Sequence, residues 1–122
     1  MSEHLLAPLT ALGKDTPVVE IIGGISLRES PNLAITSLAA RKDHGEELHS
    51  KLQAVAGIHL PSPGKAIFAD DVTVIWTGVN QWFLLAPLSD RPDYAAEIKN
   101  IVKDTASVTE QTDGWVIFDV TG

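Results

Sequence analysis

The sequence has 122 residues, of which 44% are hydrophobic and 20% are charged, and it contains no cysteine. This length and composition are typical of one globular domain, and the absence of thiols excludes disulfides, thiolate catalysis and zinc–thiolate sites. The formal net charge of -7 argues against nucleic acid and anionic membranes as partners, because both would repel the protein.

The first 17 residues predict a flexible lead-in that ends at Pro17. Their leucines resemble part of a signal peptide, but the segment carries Glu3, is interrupted by Pro8 and lacks a basic start. No apolar run in the sequence reaches the roughly 18 residues of a membrane span. We therefore expect a cytoplasmic protein in which residues 18–122 form a single α+β domain.

The β-branched run of residues 18–22 is broken by Gly23 and Gly24 and resumes over residues 25–29. This pattern predicts an extra N-terminal strand or hairpin with a tight bend at the two glycines. A turn over residues 30–32 then leads into a further strand over residues 33–40.

A helix of about three turns is predicted to follow. Asp43 precedes Glu46 by three residues, as in a capping box, and Gly57 is a natural stop after the last turn. Glu47 and Lys51, four residues apart, form an ion pair on the exposed side. The apolar stripe of this helix is Leu48, Leu52 and Val55.

Residues 61–64 predict a loop, and residues 72–77 alternate in the period of two that is typical of a strand. A polar reversal over residues 78–80 and a return strand over residues 82–86 complete a hairpin.

A second helix opens at residues 90–93, with Pro92 near its first position. Its buried stripe is Tyr94, Ile98, Ile101 and Val102. Residues 107–121 form the last strand region, with a bend at Asp113 and Gly114. From residue 33 onward the order is thus β-α-β-β-α-β, which predicts a ferredoxin-like fold: a four-stranded antiparallel sheet with both helices on one face.

No catalytic, cofactor-binding or metal site is predicted. His44 and His49 are five residues apart and point about 140° away from each other on a helix, so we interpret them as surface residues. His59 has no partner near it in the sequence. Asp70 and Asp71 are interpreted as a solvated turn, because no further carboxylate follows at a useful spacing.

The aromatic residues indicate an interface. Along the return strand, Trp82, Leu84 and Ala86 point one way and Phe83 and Leu85 the other, so both faces of the strand are apolar. A sheet that is apolar on both faces needs a second covering layer, from another domain or another chain. The candidate core or interface aromatics are Trp76, Trp82, Phe83, Trp115 and Phe118.

Four segments resemble the gamma subunit of heterotetrameric sarcosine oxidase, in the same order and at compatible spacing. Residues 76–86 (WTGVNQWFLLA) resemble the W-x-G-P-x-x-W-L-L hairpin of that family, with Val79 where proline is common. Residues 37–42 (SLAARK) are similar to its L-A-A-R-K segment, and residues 60–65 (LPSPGK) to its L-P-x-P-G-x loop. Residues 111–122 (QTDGWVIFDVTG) are similar to its Q-S-x-G-x-V-x-L-x-x-S-G strand.

This resemblance implies a fold related to the folate-dependent aminomethyltransferases and a complex that oxidatively demethylates sarcosine to glycine. It implies that the larger subunits carry FAD, FMN, NAD and tetrahydrofolate, and that the gamma subunit is structural and packs against the large alpha subunit. Family members continue into a helix and a second βα half, so the resemblance implies that this sequence corresponds to the first half of a longer fold.

Two alternatives remain at this point. The chain is a stand-alone ferredoxin-like binding module for a folate, a pterin or an amino acid, or a fragment of an aminomethyltransferase-like enzyme. A homo-oligomer of the isolated chain is compatible with each of them.

Overall fold

The computed structural model describes residues 19–69, 71–115 and 117–121, and the chain divides into two compact units. The terminal unit combines residues 1–31 with residues 113–122, and the central unit comprises residues 32–112. The predicted lead-in lies outside the described residues, as do Val18, Asp70, Val116 and Gly122. The single domain over residues 18–122 stays a prediction, and each unit is described by itself.

Eight strands, two helices and a 3-10 turn follow one another along the described residues. They are β1 (Val19–Ile22), β2 (Ile25–Glu29), β3 (Leu33–Ala40), α1 (Gly45–Ala56), β4 (Ala66–Phe68), β5 (Thr73–Gly78), β6 (Gln81–Pro87), α2 (Tyr94–Val102), the 3-10 turn (Lys103–Thr105), β7 (Ala106–Glu110) and β8 (Phe118–Thr121). The α+β fold class is therefore confirmed.

The central unit contains a five-stranded sheet in the order β4-β5-β6-β3-β7, in which every neighbouring pair is antiparallel. Its chain order β3-α1-β5-β6-α2-β7 is compatible with the predicted ferredoxin-like arrangement. Strand β4 is an additional edge strand that was not predicted from the sequence. It spans three residues, too few for a period of two to be recognised.

One face of this sheet packs against the helices. Cross-strand partners place Trp76, Trp82, Leu38 and Val108 in one row of this face. The buried core is built from this face and from the helices, and it comprises Ala34, Leu38, Leu48, Leu52, Ile58, Val74, Leu84, Ala86, Tyr94, Ile98, Val102 and Ala106. The predicted stripe of α2 is confirmed, with Ile101 half-buried beside the core.

Helix α1 differs from its prediction at both ends. The capping box at Asp43 is wrong: Asp43 has a left-handed φ of 65°, and His44 precedes the helix without a side-chain capping bond. A turn intervenes, in which the His44 amide donates to the Arg41 carbonyl at 2.9 Å. The buried position assigned to Val55 is also wrong, since its side chain is 68% exposed.

The C-terminal end of α1 explains the exposure of Val55. Gly57 adopts a left-handed φ of 66°, as the predicted stop requires, and its amide donates to the Gln53 carbonyl. Ile58 then turns inward and is buried in the core. Val55 is left at the edge of a cleft instead of beneath another element. The predicted pair of Glu47 and Lys51 forms at 3.5 Å.

Helix α2 begins at Tyr94, later than the sequence indicated. Pro92 lies just before the helix, after a turn in which the Asp90 and Arg91 amides both donate to the Pro87 carbonyl. No helix in the described part of the chain is long and apolar enough to cross a membrane.

The terminal unit contains a three-stranded antiparallel sheet in the order β1-β2-β8. The predicted N-terminal hairpin is confirmed, with Gly23 and Gly24 at positive φ in its two-residue turn. The last strand region is divided: β7 belongs to the central unit, whereas β8 pairs with β2. A turn over residues 112–114 separates them, at the place where the sequence predicted a bend.

Candidate functional site

Trp76 and Trp82 are cross-strand partners in the β5–β6 hairpin. Trp82 is half-buried against the core, and its indole Nε1 donates a hydrogen bond of 3.0 Å to the Pro61 carbonyl. The apolar body of Trp82 thus packs on the sheet while its polar edge holds the loop before β4. This contact assigns Trp82 a role in the fold.

Phe83 lies on the opposite face of the same strand. Its cross-strand partners are Ile75 and Ser37, and it is half-buried. Its neighbour on this face, Leu85, is buried. Strand β6 is therefore apolar on both faces, as the alternation of its residues predicts.

Trp115 and Phe118 belong to the terminal unit, and their side chains are 52% and 41% exposed. Pairing of β2 with β1 and β8 places Phe118 on one face of the three-stranded sheet with other apolar residues. We call this surface the terminal apolar face; its apolar residues are Ile22, Ile25, Leu27, Phe118 and Val120, and Glu20 and Glu29 lie on the same face of the sheet. All of the apolar residues except the half-buried Leu27 are exposed.

Three histidines, His44, His49 and His59, lie on or near α1. His44 Nδ1 is 3.0 Å from Glu47 Oε1, and this hydrogen bond, followed by the contact with Lys51, lowers the pKa of the Glu47 carboxyl. His49 and His59 meet edge to face, with ring centroids 6.1 Å apart. Across residues 19–69, 71–115 and 117–121, no group of three or more acidic or histidine side chains is placed to hold a metal ion.

A cleft that the sequence did not reveal lies in the central unit, between the C-terminal end of α1 and helix α2. It has a volume of about 350 Å³. Its apolar lining is Val55, Ala56, Ile58, Val72, Ile98 and Ile101, and its polar lining is Asp71, Arg91, Tyr94 and Glu97.

Arg91 organises the polar side of this cleft. Its guanidinium contacts Asp71 Oδ2 at 3.4 Å and Glu97 Oε1 at 3.0 Å, and its Cζ lies 5.6 Å from the centroid of the Tyr94 ring. Two carboxylates thus accompany one cation, so the polar side has a formal charge of -1. Contacts of this kind between exposed groups add little to stability, but they fix where the charges lie.

Tyr94 is the buried member of the cleft, with 4% of its surface exposed. Burial raises the pKa of its phenol to about 12, an effect that the nearby Arg91 charge partly opposes. The hydroxyl therefore stays protonated at neutral pH and is available as a hydrogen-bond donor.

This cleft could not be predicted from the sequence, because Asp71 and Arg91 are brought together only by the tertiary fold. The only local signal is that Arg91, Tyr94 and Glu97 are spaced three residues apart in the sequence. That spacing is equally typical of a solvated helix face.

Comparison with protein families and with curated proteins found no match. Among solved structures, the chain is similar to a chain of the heterotetrameric sarcosine oxidase from Corynebacterium sp. U-96 in complex with pyrrole 2-carboxylate, with a TM-score of 0.63 and 20% sequence identity. The similarity covers 80% of this chain and 50% of that chain, so this sequence spans about half of its structural neighbour. At this identity, the likeness is one of fold.

Proposed function

We propose that this chain is a non-catalytic, gamma-type subunit of a cytoplasmic sarcosine oxidase complex, in which other subunits demethylate sarcosine oxidatively to glycine. The observation that carries the proposal is the structural similarity to a chain of heterotetrameric sarcosine oxidase. In this proposal the large alpha subunit is the main partner, and FAD, FMN, NAD and tetrahydrofolate are bound by the partner subunits.

The segments that resemble the gamma subunit support the same assignment independently of the overall fold. Residues 76–86 form the β5–β6 hairpin, and residues 37–42 span the end of β3 and the turn after it. Residues 60–65 form the loop that accepts the Trp82 hydrogen bond. The segments that resemble the gamma subunit therefore form strands, a hairpin and a loop, and their described residues do not form a cluster of reactive side chains.

The terminal apolar face is the best candidate for the surface that meets the partner. Of the eleven exposed large hydrophobic residues in the described part of the chain, seven belong to the terminal unit, which is the smaller unit, and four of these lie on the terminal apolar face: Ile22, Ile25, Phe118 and Val120. Exposed apolar patches of this kind mark contact surfaces, and aromatic residues commonly supply their strongest contacts. Phe118 fits that role.

The test is affinity purification of the tagged chain from its source cells, followed by native mass spectrometry. We expect larger flavin-carrying subunits to co-purify with the wild-type chain. We expect Val120→Asp to release them, because it puts a charge into the terminal apolar face. Val55→Asp, at a similarly exposed valine of the central unit, and Ile21→Asp, on the opposite face of the same sheet, should retain them.

Two results would count against the proposal. A wild-type chain that purifies only as a monomer or homodimer would refute the subunit assignment. A Val120→Asp chain that folds and still binds the larger subunits would refute the assignment of the surface while leaving the subunit assignment intact.

A further inference from the structure

The Tyr94 side chain is the buried part of the polar lining of the cleft. The side chain is 96% removed from solvent, and its hydroxyl forms no hydrogen bond with any residue in the described part of the chain. Buried hydroxyl groups are nearly always hydrogen-bonded, because leaving one unpaired is unfavourable. Since Tyr94 lines the cleft, a molecule bound there would supply the missing acceptor.

The charges around Tyr94 limit what that molecule can be. Arg91 and the Tyr94 hydroxyl offer donors to an anionic group, and α2 begins at Tyr94, so the positive end of the helix dipole lies at the same place. Asp71 and Glu97 lie on either side of Arg91 and offer acceptors to a cationic group. A simple anion would be repelled by the two carboxylates, and a hydrocarbon would leave the hydroxyl unpaired.

The remaining walls are apolar. Ile58 and Ile98 are buried, Val72 and Ile101 are half-buried, and Val55 is exposed at the edge. The volume of about 350 Å³ lies at the lower end of the roughly 300–1,000 Å³ range of ligand pockets. The cleft therefore suits a small molecule that carries both charges at one end and an apolar body at the other.

We propose that this cleft binds a zwitterionic amino acid with an apolar side chain. Its carboxylate accepts hydrogen bonds from the Tyr94 hydroxyl and from Arg91, and its ammonium group pairs with Asp71 and Glu97. Its side chain lies against Ile58, Val72 and Ile101. This site belongs to the central unit and does not depend on the proposed partner subunits.

The proposal is tested by isothermal titration calorimetry of the full chain with three probes of similar size. L-Leucine carries both charges, 4-methylpentanoate lacks the ammonium group and 3-methylbutylamine lacks the carboxylate. We expect leucine to bind and each analogue to bind roughly tenfold more weakly or not at all, because each leaves one set of charges unpaired. Absence of leucine binding, or equal binding of either analogue, would overturn the proposal.

A conservative variant tests the role of the hydroxyl. Tyr94→Phe removes one oxygen and breaks no hydrogen bond with any described residue, so we expect it to fold and to bind leucine roughly tenfold more weakly. Thr77→Val removes an exposed hydroxyl from β5, outside the cleft, and should leave the affinity unchanged. Should Tyr94→Phe fail to fold, Glu97→Gln gives the same test for the ammonium group. Unaltered leucine affinity in either folded cleft variant would show that the site is not the one proposed.

Discussion

At the scale of single residues, Tyr94 offers a direct measurement, because it is the only tyrosine in the sequence. Burial raises the pKa of its phenol to about 12, against about 10 for an exposed tyrosine. We expect the tyrosinate absorbance of the folded chain to appear with a midpoint well above 10. A midpoint near 10 in a chain that is still folded would show that the hydroxyl is solvated.

The same shift predicts how stability depends on pH. The unfolded chain releases the phenol proton at about pH 10 and the folded chain at about pH 12, so above pH 10 the unfolded state binds fewer protons. The contribution of Tyr94 is thus fully present below about pH 10, and about 2 kcal/mol of it is lost as the pH rises to about 12. Urea denaturation should show this loss in the wild type and not in Tyr94→Phe, which has no proton to release.

Trp82 is a second residue whose contacts predict a measurable effect. Trp82→Phe keeps an aromatic ring on the core but removes the donor to the Pro61 carbonyl, and we expect it to cost about 1 kcal/mol in the free energy of unfolding. Trp76→Phe is the matched control, since Trp76 is the cross-strand partner of Trp82 and its side chain makes no such bond in the described part of the chain. Thermal melting that ranks the two variants the other way would contradict this account.

At the scale of elements, α1 distinguishes what helical spacing predicts from what packing decides. Leu52 is fully buried and Val55 is exposed, although both belong to the stripe that the sequence predicted. We expect Leu52→Ala to cost about 2–5 kcal/mol and Val55→Ala less than about 0.5 kcal/mol. Chemical denaturation measures both, and a cost above 2 kcal/mol for Val55→Ala would mean that the end of α1 is covered.

The same helix shows how far the sequence predicts the fold. The period of 3.6 and the left-handed stop at Gly57 are local properties, and both were predicted correctly. Whether Val55 is buried depends on what lies opposite it, and this the sequence does not contain. The hairpins formed by β1 and β2 and by β5 and β6 were likewise predicted from local turn residues and alternation, whereas the three-residue β4 was missed.

The cleft was beyond prediction for the same reason. Arg91 is separated from Asp71 by twenty positions and from Glu97 by six, and only the folded central unit brings the three side chains together. The sequence instead predicted that the aromatic residues form the core or an interface. Of these, Trp82 is explained by the fold, and Phe118 lies on an exposed face.

At the scale of the whole molecule, the two units differ in how much of their strands is buried from solvent. Every residue of β1 and β8 is exposed. Strand β3, in contrast, is paired on both sides and contains three consecutive buried residues, Ala34, Ile35 and Thr36. Small sheets with little buried apolar surface are marginally stable. We expect amide hydrogen exchange to be much faster in β1, β2 and β8 than in β3 and β6. Equal protection in both units would indicate that they unfold together.

The pairing of β2 with β8 also has a consequence for the order of folding. Ser30 and Asp119 meet through a 2.6 Å hydrogen bond although 89 positions separate them, and the entire central unit lies between. Contacts between such distant residues form slowly, because a long loop must close first. During synthesis the ribosome releases every strand of the central unit before β8. Until then the β1–β2 hairpin cannot pair with β8, and its isoleucines stay exposed. Because the hairpin lacks this partner strand, the nascent chain exposes apolar surface that can aggregate or bind a chaperone.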